Sequence, residues 1–111
     1  MDEEQKGVKF DEGKLRYDLL PTYAIEEIVR VFTNGANKYS PHNWQKGMEW
    51  SRLFSAMMRH CFKFWSGEDL DEETNLSHMA HAAWNALALL EYTKYFPEFD
   101  DRWAYKKKEE A

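Results

Sequence analysis

Apolar residues recur at helical spacing in three stretches of this chain. Ile25, Ile28, Val29 and Phe32 follow the i, i+3, i+4, i+7 pattern. Pro21 suits a first turn, Thr22 is a candidate N-cap, Glu26 and Glu27 complement the helix dipole, and Asn34-Gly35 reads as a stop. A second helix is expected over 51–65, capped by Ser51, with Leu53, Phe54, Met57, Cys61, Phe64 and Trp65 as its apolar face and Gly67 just past its end. A third is expected from Leu76 to Tyr95, after a cap at Thr74 or Asn75, with Pro97 beyond it. Its phases place Leu76, Ala80, Ala83, Leu87 and Leu90 on one stripe and His78, His81, Asn85, Ala88 and Tyr92 on the opposite one. No Lys, Arg, Asp or Glu occurs between Thr74 and Leu90, so both faces should be covered.

Strand-like alternation and internal repeats are absent from the sequence. The expected fold class is all-α: a small bundle of three main helices plus short helical segments, completed by oligomerisation. The 111 residues suit one domain over 8–105, with a frayed 1–7 and a charged tail over 106–111. Phe99, Trp103 and Tyr105 are expected to dock a short tail segment.

Charge and composition narrow the function. A net charge of −5 argues against direct nucleic-acid binding, which wants a basic field. One cysteine, Cys61, excludes an intrachain disulfide framework, and in an apolar helix it reads as core. Neither a leader pattern nor an apolar run long enough to span a membrane is evident, so a soluble, cytoplasmic protein is expected. Aromatic residues make up 16% of the chain, enough to supply an interface or surround a planar ligand.

The chemistry concentrates in residues 59–85. His60, His78 and His81 lie there with Glu68, Asp69, Asp71, Glu72 and Glu73. Acids before a helix are commonly plain capping residues. Clustered carboxylates are also what a hard divalent ion requires. Two earlier segments add cations and rings. The arm over 8–21 carries Lys9, Lys14 and Arg16 among apolar residues; it is either a docked loop or a phosphate-contacting arm. The connection over 35–50 holds Lys38, Tyr39, His42, Asn43, Trp44 and Lys46, either pinned by Trp44 or holding a base and a phosphate. P-loop, Rossmann, zinc-cysteine and metalloprotease patterns are all missing, and no His is followed directly by Asp. A nucleoside triphosphate with a divalent metal is one economical ligand; a non-catalytic helical interaction protein is the competing reading.

The strings KFDEGKLRYDLLP, GANKYSPHNW and RHCFKFWSGEDLDEETNLSHMAHAAWN resemble a phage family related to MazG-type all-α nucleotide pyrophosphohydrolases. More narrowly they resemble the dATP/dGTP pyrophosphohydrolases of phages that replace adenine by 2-aminoadenine. The resemblance spans roughly residues 8–93. It implies metal-dependent cleavage of dATP and dGTP to monophosphate and pyrophosphate, in the host cytoplasm, by a homo-oligomer using Mg²⁺ or another divalent ion such as Mn²⁺ or Co²⁺. Removing dATP would keep adenine out of DNA, and dGMP would feed 2-aminoadenine synthesis. The chain departs from the MazG pattern: helix two has no acid between Arg52 and Trp65, and His78-x-x-His81 stands where an acidic motif is expected. The working assignment therefore makes Glu68, Asp71 and His60 catalytic and gives the metal to Glu68, Asp71, Glu73, His78 and His81. Lys14, Arg16, Lys38 and Arg59 are assigned to phosphates, and Tyr39, Asn43, Trp44 and Asn85 to base or sugar. A related enzyme acting on another triphosphate fits the same residues.

Overall fold

Burial selects the fold from the helical phases. In this computed structural model, which describes residues 6–103, three helices form: α1 (Thr22–Lys38), α2 (Trp50–Trp65) and α3 (His78–Tyr95). Short 3-10 turns occupy Tyr17–Leu19, Asn43–Lys46 and Pro97–Phe99. Among the described residues the fold is all-α; extended pairing is limited to one isolated bridge, Leu70 to Ser77. The proposed tail over 106–111, the first five residues and Tyr105 lie outside the described residues.

α3 is the shared wall. Both α1 and α2 pack on it, α2 the more extensively, and they have almost no contact with each other. Small side chains permit this: Ala80, Ala82 and Ala88 are all buried. Trp50, Leu53, Ala88 and Tyr92 form the core, ringed by Trp44, Met48, Trp84, Leu89, Phe96 and Phe99. Two polar handles lock it. Trp50 Nε1–H donates to the Phe96 carbonyl at 3.1 Å, and the fully buried Tyr92 hydroxyl donates to the Trp44 carbonyl. Truncating such a buried aromatic costs about 3–5 kcal/mol. The second lock draws the 39–49 connection against α3, and residues of that connection line one cleft together with residues of α1 and α2.

Several expectations are corrected. α1 does not stop at Asn34-Gly35: Gly35 takes no positive φ, and its carbonyl accepts the Tyr39 N–H at 3.0 Å, carrying the helix to Lys38. Pro21, not Thr22, holds the N-cap position, and Glu26 and Glu27 pair with Arg30 beyond the first turn. Ser51 lies inside α2; Asp101 caps that helix instead, accepting the Ser51 N–H at 2.9 Å and its hydroxyl at 2.5 Å. α3 begins at His78, because Ser77 accepts from the Met79 and Ala80 N–H groups and Thr74 is engaged elsewhere.

Contrary to expectation, the two faces of α3 are not both covered. The histidine stripe is the inner one, with His78, Asn85, Ala88 and Tyr92 buried, while Leu87 and Leu90 are exposed. Cys61 is half-buried, not core, and Trp103 is exposed. The arm over 8–20 is exposed throughout and not packed by its apolar members.

Candidate functional site

The acidic turn between α2 and α3 is a pinned structure. Gly67, at φ +104°, ends α2 in a conformation that strains any side chain, and its N–H and that of Glu68 satisfy the Phe64 and Lys63 carbonyls at 3.0 and 3.1 Å. Asp71 N–H then donates to the Leu76 carbonyl at 2.8 Å, and His78 N–H to the Asp69 carbonyl at 2.9 Å. Asn75, at φ 60°, closes the loop by donating its N–H to the Asp71 carbonyl at 2.7 Å. These bonds hold Asp71 against the first turn of α3 and against His60 on the inner face of α2.

The cluster can be read proton by proton. His78 is fully buried. Its Nε2 lies 2.5 Å from Glu68 Oε2 and its Nδ1 lies 2.8 Å from His60 Nδ1. An ionised Glu68 only accepts, so His78 carries its proton on Nε2 and turns the Nδ1 lone pair towards His60. Thr74 gives the matching answer for His81. Its hydroxyl lies 3.0 Å from Asp71 Oδ2 and 2.7 Å from His81 Nε2, and it accepts the Leu76 N–H at 3.2 Å. One hydroxyl donates once. It donates to the carboxylate, so His81 must donate from Nε2, leaving its Nδ1 unprotonated. The His60 and His81 rings stack at 4.5 Å, 7° from parallel.

The environment disfavours the charged forms of His60 and His81. Burial, with the charge of His81 next, pushes His60 down to about 4. Burial and the proximity of His78 also lower His81. Burial works to raise Asp71, but hydrogen bonds from the Thr74 N–H and hydroxyl outweigh it and hold the carboxyl below its usual range. Neutral imidazoles beside an ionised carboxylate are the protonation states a metal ion needs.

Ligand atoms of His60, Asp71 and His78 all lie within 4.8 Å of one another. The donor set fits a divalent ion: two imidazole nitrogens, one carboxylate oxygen, and Glu68 behind His78 in the carboxylate–histidine arrangement that orients metal-binding imidazoles. Beside it opens a cleft of about 1010 Å³, at the upper end of small-ligand sites.

The structure brings most of the sequence candidates to this cleft. Lys38, Tyr39, Asn43, Trp44, Arg59, His60, Asp71, Glu73, His81 and Asn85 all line it. Glu73 forms an ion pair with Lys38 at 2.5 Å, which ties the end of α1 to the acidic turn, and Lys38 also lies 5.2 Å from the Tyr39 ring centroid. Glu68 and His78 stand behind the lining. Lys14 and Arg16 are not at the cleft; they sit on the exposed arm, where Arg16 pairs with Asp18 at 2.7 Å. Sequence reasoning treated Thr74 only as a cap and passed over Arg52, which also lines the cleft. The signal for Thr74 was available: Asp71-x-x-Thr74 is the spacing at which an Asp accepts from a Thr three residues on.

Residues 4–102 match the sequence model of a family described as "dATP/dGTP diphosphohydrolase, N-terminal". The chain belongs to that family. A dATP/dGTP diphosphohydrolase of Salmonella phage PMBT28 is 38% identical over 96 residues, which cover 86% of this chain and 33% of that protein. The chain thus spans about one third of the length of the curated relative it matches. No solved structure matches. The candidate site residues discussed above, from Lys14 to Asn85, lie inside the matched span. Among the described residues no helix is long and apolar enough to cross a membrane.

Proposed function

We propose that this chain carries a site for hydrolysing dATP and dGTP to the monophosphate and pyrophosphate, with a divalent metal held by His60, Asp71 and His78. The observation that carries the reading is the convergence of those three side chains, His60 and Asp71 on the wall of the cleft and His78 just behind it, beside Lys38, Arg52, Arg59, Tyr39 and Trp44. Cations suit a triphosphate and rings suit a base. The substrate pair comes from the printed name of the phage relative and of the family.

A metal in this position would supply Lewis-acid stabilisation of phosphoryl oxygens and a more acidic water. Its two nitrogen donors favour an imidazole-accepting ion such as Co²⁺ over Mg²⁺, which prefers oxygen. The remaining work belongs to this chain's residues. Arg59 and Lys38 hold the phosphates in place, and release of Lys38 from Glu73 would accompany that. Asn43, Trp44 and Asn85 bound the base or sugar end. An attacking water forms a bond to the α-phosphorus as the bond to the bridging oxygen breaks, and pyrophosphate leaves with that oxygen. Of the three imidazoles, His81 stands outside the metal set, and its Nδ1 is free to take the proton of the water. Glu68 orients His78 and does not touch substrate in this reading. The chain would act as a homo-oligomer in the cytoplasm of a phage-infected host, removing dATP and supplying dGMP for 2-aminoadenine DNA.

Alanine replacement of His60, Asp71 and His78, one at a time, tests the site. Each variant should keep its helical circular dichroism and lose metal-dependent pyrophosphate release by about 100-fold or more, since even an outer-shell partner of a metal ligand is worth about 10- to 100-fold. A folded variant with normal release would remove that residue from the site.

A further inference from the structure

The arm over 8–20 has a defined shape, and all of its residues are exposed among the described residues. Lys14 N–H donates to the Asp11 carbonyl at 3.0 Å beside Gly13 at φ +80°, and Leu19 and Leu20 close the Tyr17–Leu19 turn. Among the described residues, the backbone hydrogen bonds of the arm are local. Yet Val8, Phe10, Leu15, Tyr17, Leu19 and Leu20 are between 53% and 88% exposed. Folding back is resisted at the arm's root: Leu20 precedes Pro21 and is held extended, at ψ 136°, as a residue before proline must be. The radius of gyration, 18.9 Å, is far above the ~13 Å of a compact domain of about 100 residues.

The same chain offers a platform. On α2, Phe54, Met58, Cys61, Phe62 and Trp65 share the helix side opposite His60 and the cleft, by the 100° step of an α-helix. Phe54, Phe62 and Trp65 are 53%, 67% and 86% exposed. Aromatic stripes of this kind are the chemistry of interface cores.

We infer that the arm of each copy docks on the outer face of α2 of a second copy, reciprocally, forming a two-fold arm-exchanged dimer. Each arm presents on the order of 600 Å² of apolar side chain, so two arms on two platforms reach the size of a stable protein interface. Reciprocal contact also closes the assembly, because each copy supplies one arm and one platform. The inference gives the proposed homo-oligomer a surface and does not depend on the catalytic reading.

The test needs no nucleotide. Light scattering of the chain should give twice 13.3 kDa. Removing residues 8–20 should give a monomer with unchanged helical circular dichroism. Cys61, the single cysteine, should react with a maleimide at least 10-fold faster in the truncated chain than in the whole one. Phe62→Glu in the intact chain should dissociate the dimer as truncation does. A monomeric whole chain overturns the inference, as does a dimer whose mass and Cys61 reactivity are the same without the arm. Either failure leaves pyrophosphate release, measured separately, to judge the catalytic proposal.

Discussion

Glu68 Oε2 lies 2.5 Å from Nε2 of His78, a side chain with no solvent exposure, and this contact sets which nitrogen of His78 faces His60. Without the carboxylate the proton on Nε2 loses its acceptor, and the other tautomer would put N–H into the metal position. Glu68→Ala should weaken Co²⁺ binding by about 10- to 100-fold with the helices intact. Calorimetric titration of the metal into both proteins checks this. Unchanged affinity would show that His78 is oriented by other means.

The histidine cluster should make the metal-free fold acid-sensitive. His60 is held down to about 4 when folded, against an ordinary 6.5. Between those values the unfolded chain binds more protons than the folded one, so stability falls as pH drops from 6.5 towards 4 and levels off below. His81 is shifted in the same direction and adds to the loss. Thermal unfolding in the presence of a chelator should show a lower midpoint at pH 5 than at pH 7. Asp71, whose carboxyl is held below its usual range, adds a further loss only as pH falls through the carboxylate range.

Gly47 is the least replaceable glycine. It sits at φ +93°, and a Cβ there would lie 2.7 Å from Phe99 and 3.0 Å from Phe96. Both rings pack against the core. Gly47→Ala should therefore cost about 1–3 kcal/mol from strain and overpacking. Gly35, with open space around it and no positive φ, should accept alanine without loss. Thermal midpoints of the two variants provide the comparison.

Asp101 closes α2 from fifty residues away. Asp101→Ala should cost about 1 kcal/mol, the usual worth of an N-cap. Denaturant midpoints measure it, and a neutral result would mean the α2 terminus is satisfied by water.

The three helices were legible because period 3.6 is written into Ile25 to Phe32, Leu53 to Trp65 and the uncharged run of α3. Their ends were not. Asn34-Gly35 looks like a stop, yet nothing there requires a left-handed residue, so α1 continues. Ser51 looks like a cap, but a cap from Asp101 depends on how the chain returns after Pro97, which local pattern cannot show. The candidate site was legible as a set of residues, since the cleft gathers Lys38, Tyr39, Trp44, Arg59, His60, Asp71, His81 and Asn85. The division of labour within it was not. Spacing shows that His78 and His81 share a face; only coordinates show Glu68 behind His78 and Thr74 between Asp71 and His81. The arm, with charges interleaved among Phe10, Leu15, Tyr17, Leu19 and Leu20, reads as either a docked loop or a phosphate-contacting arm, and sequence carries no record of which surface its apolar residues meet.

The central proposal concerns which bond is broken, so the products decide it. The chain is incubated with Co²⁺ and a mixture of dATP and dGTP, and the nucleotides and phosphates are separated by chromatography. The account predicts dAMP, dGMP and pyrophosphate, with none of the three formed by Asp71→Asn. Release of inorganic phosphate with dADP and dGDP, or of deoxynucleosides with tripolyphosphate, would contradict it.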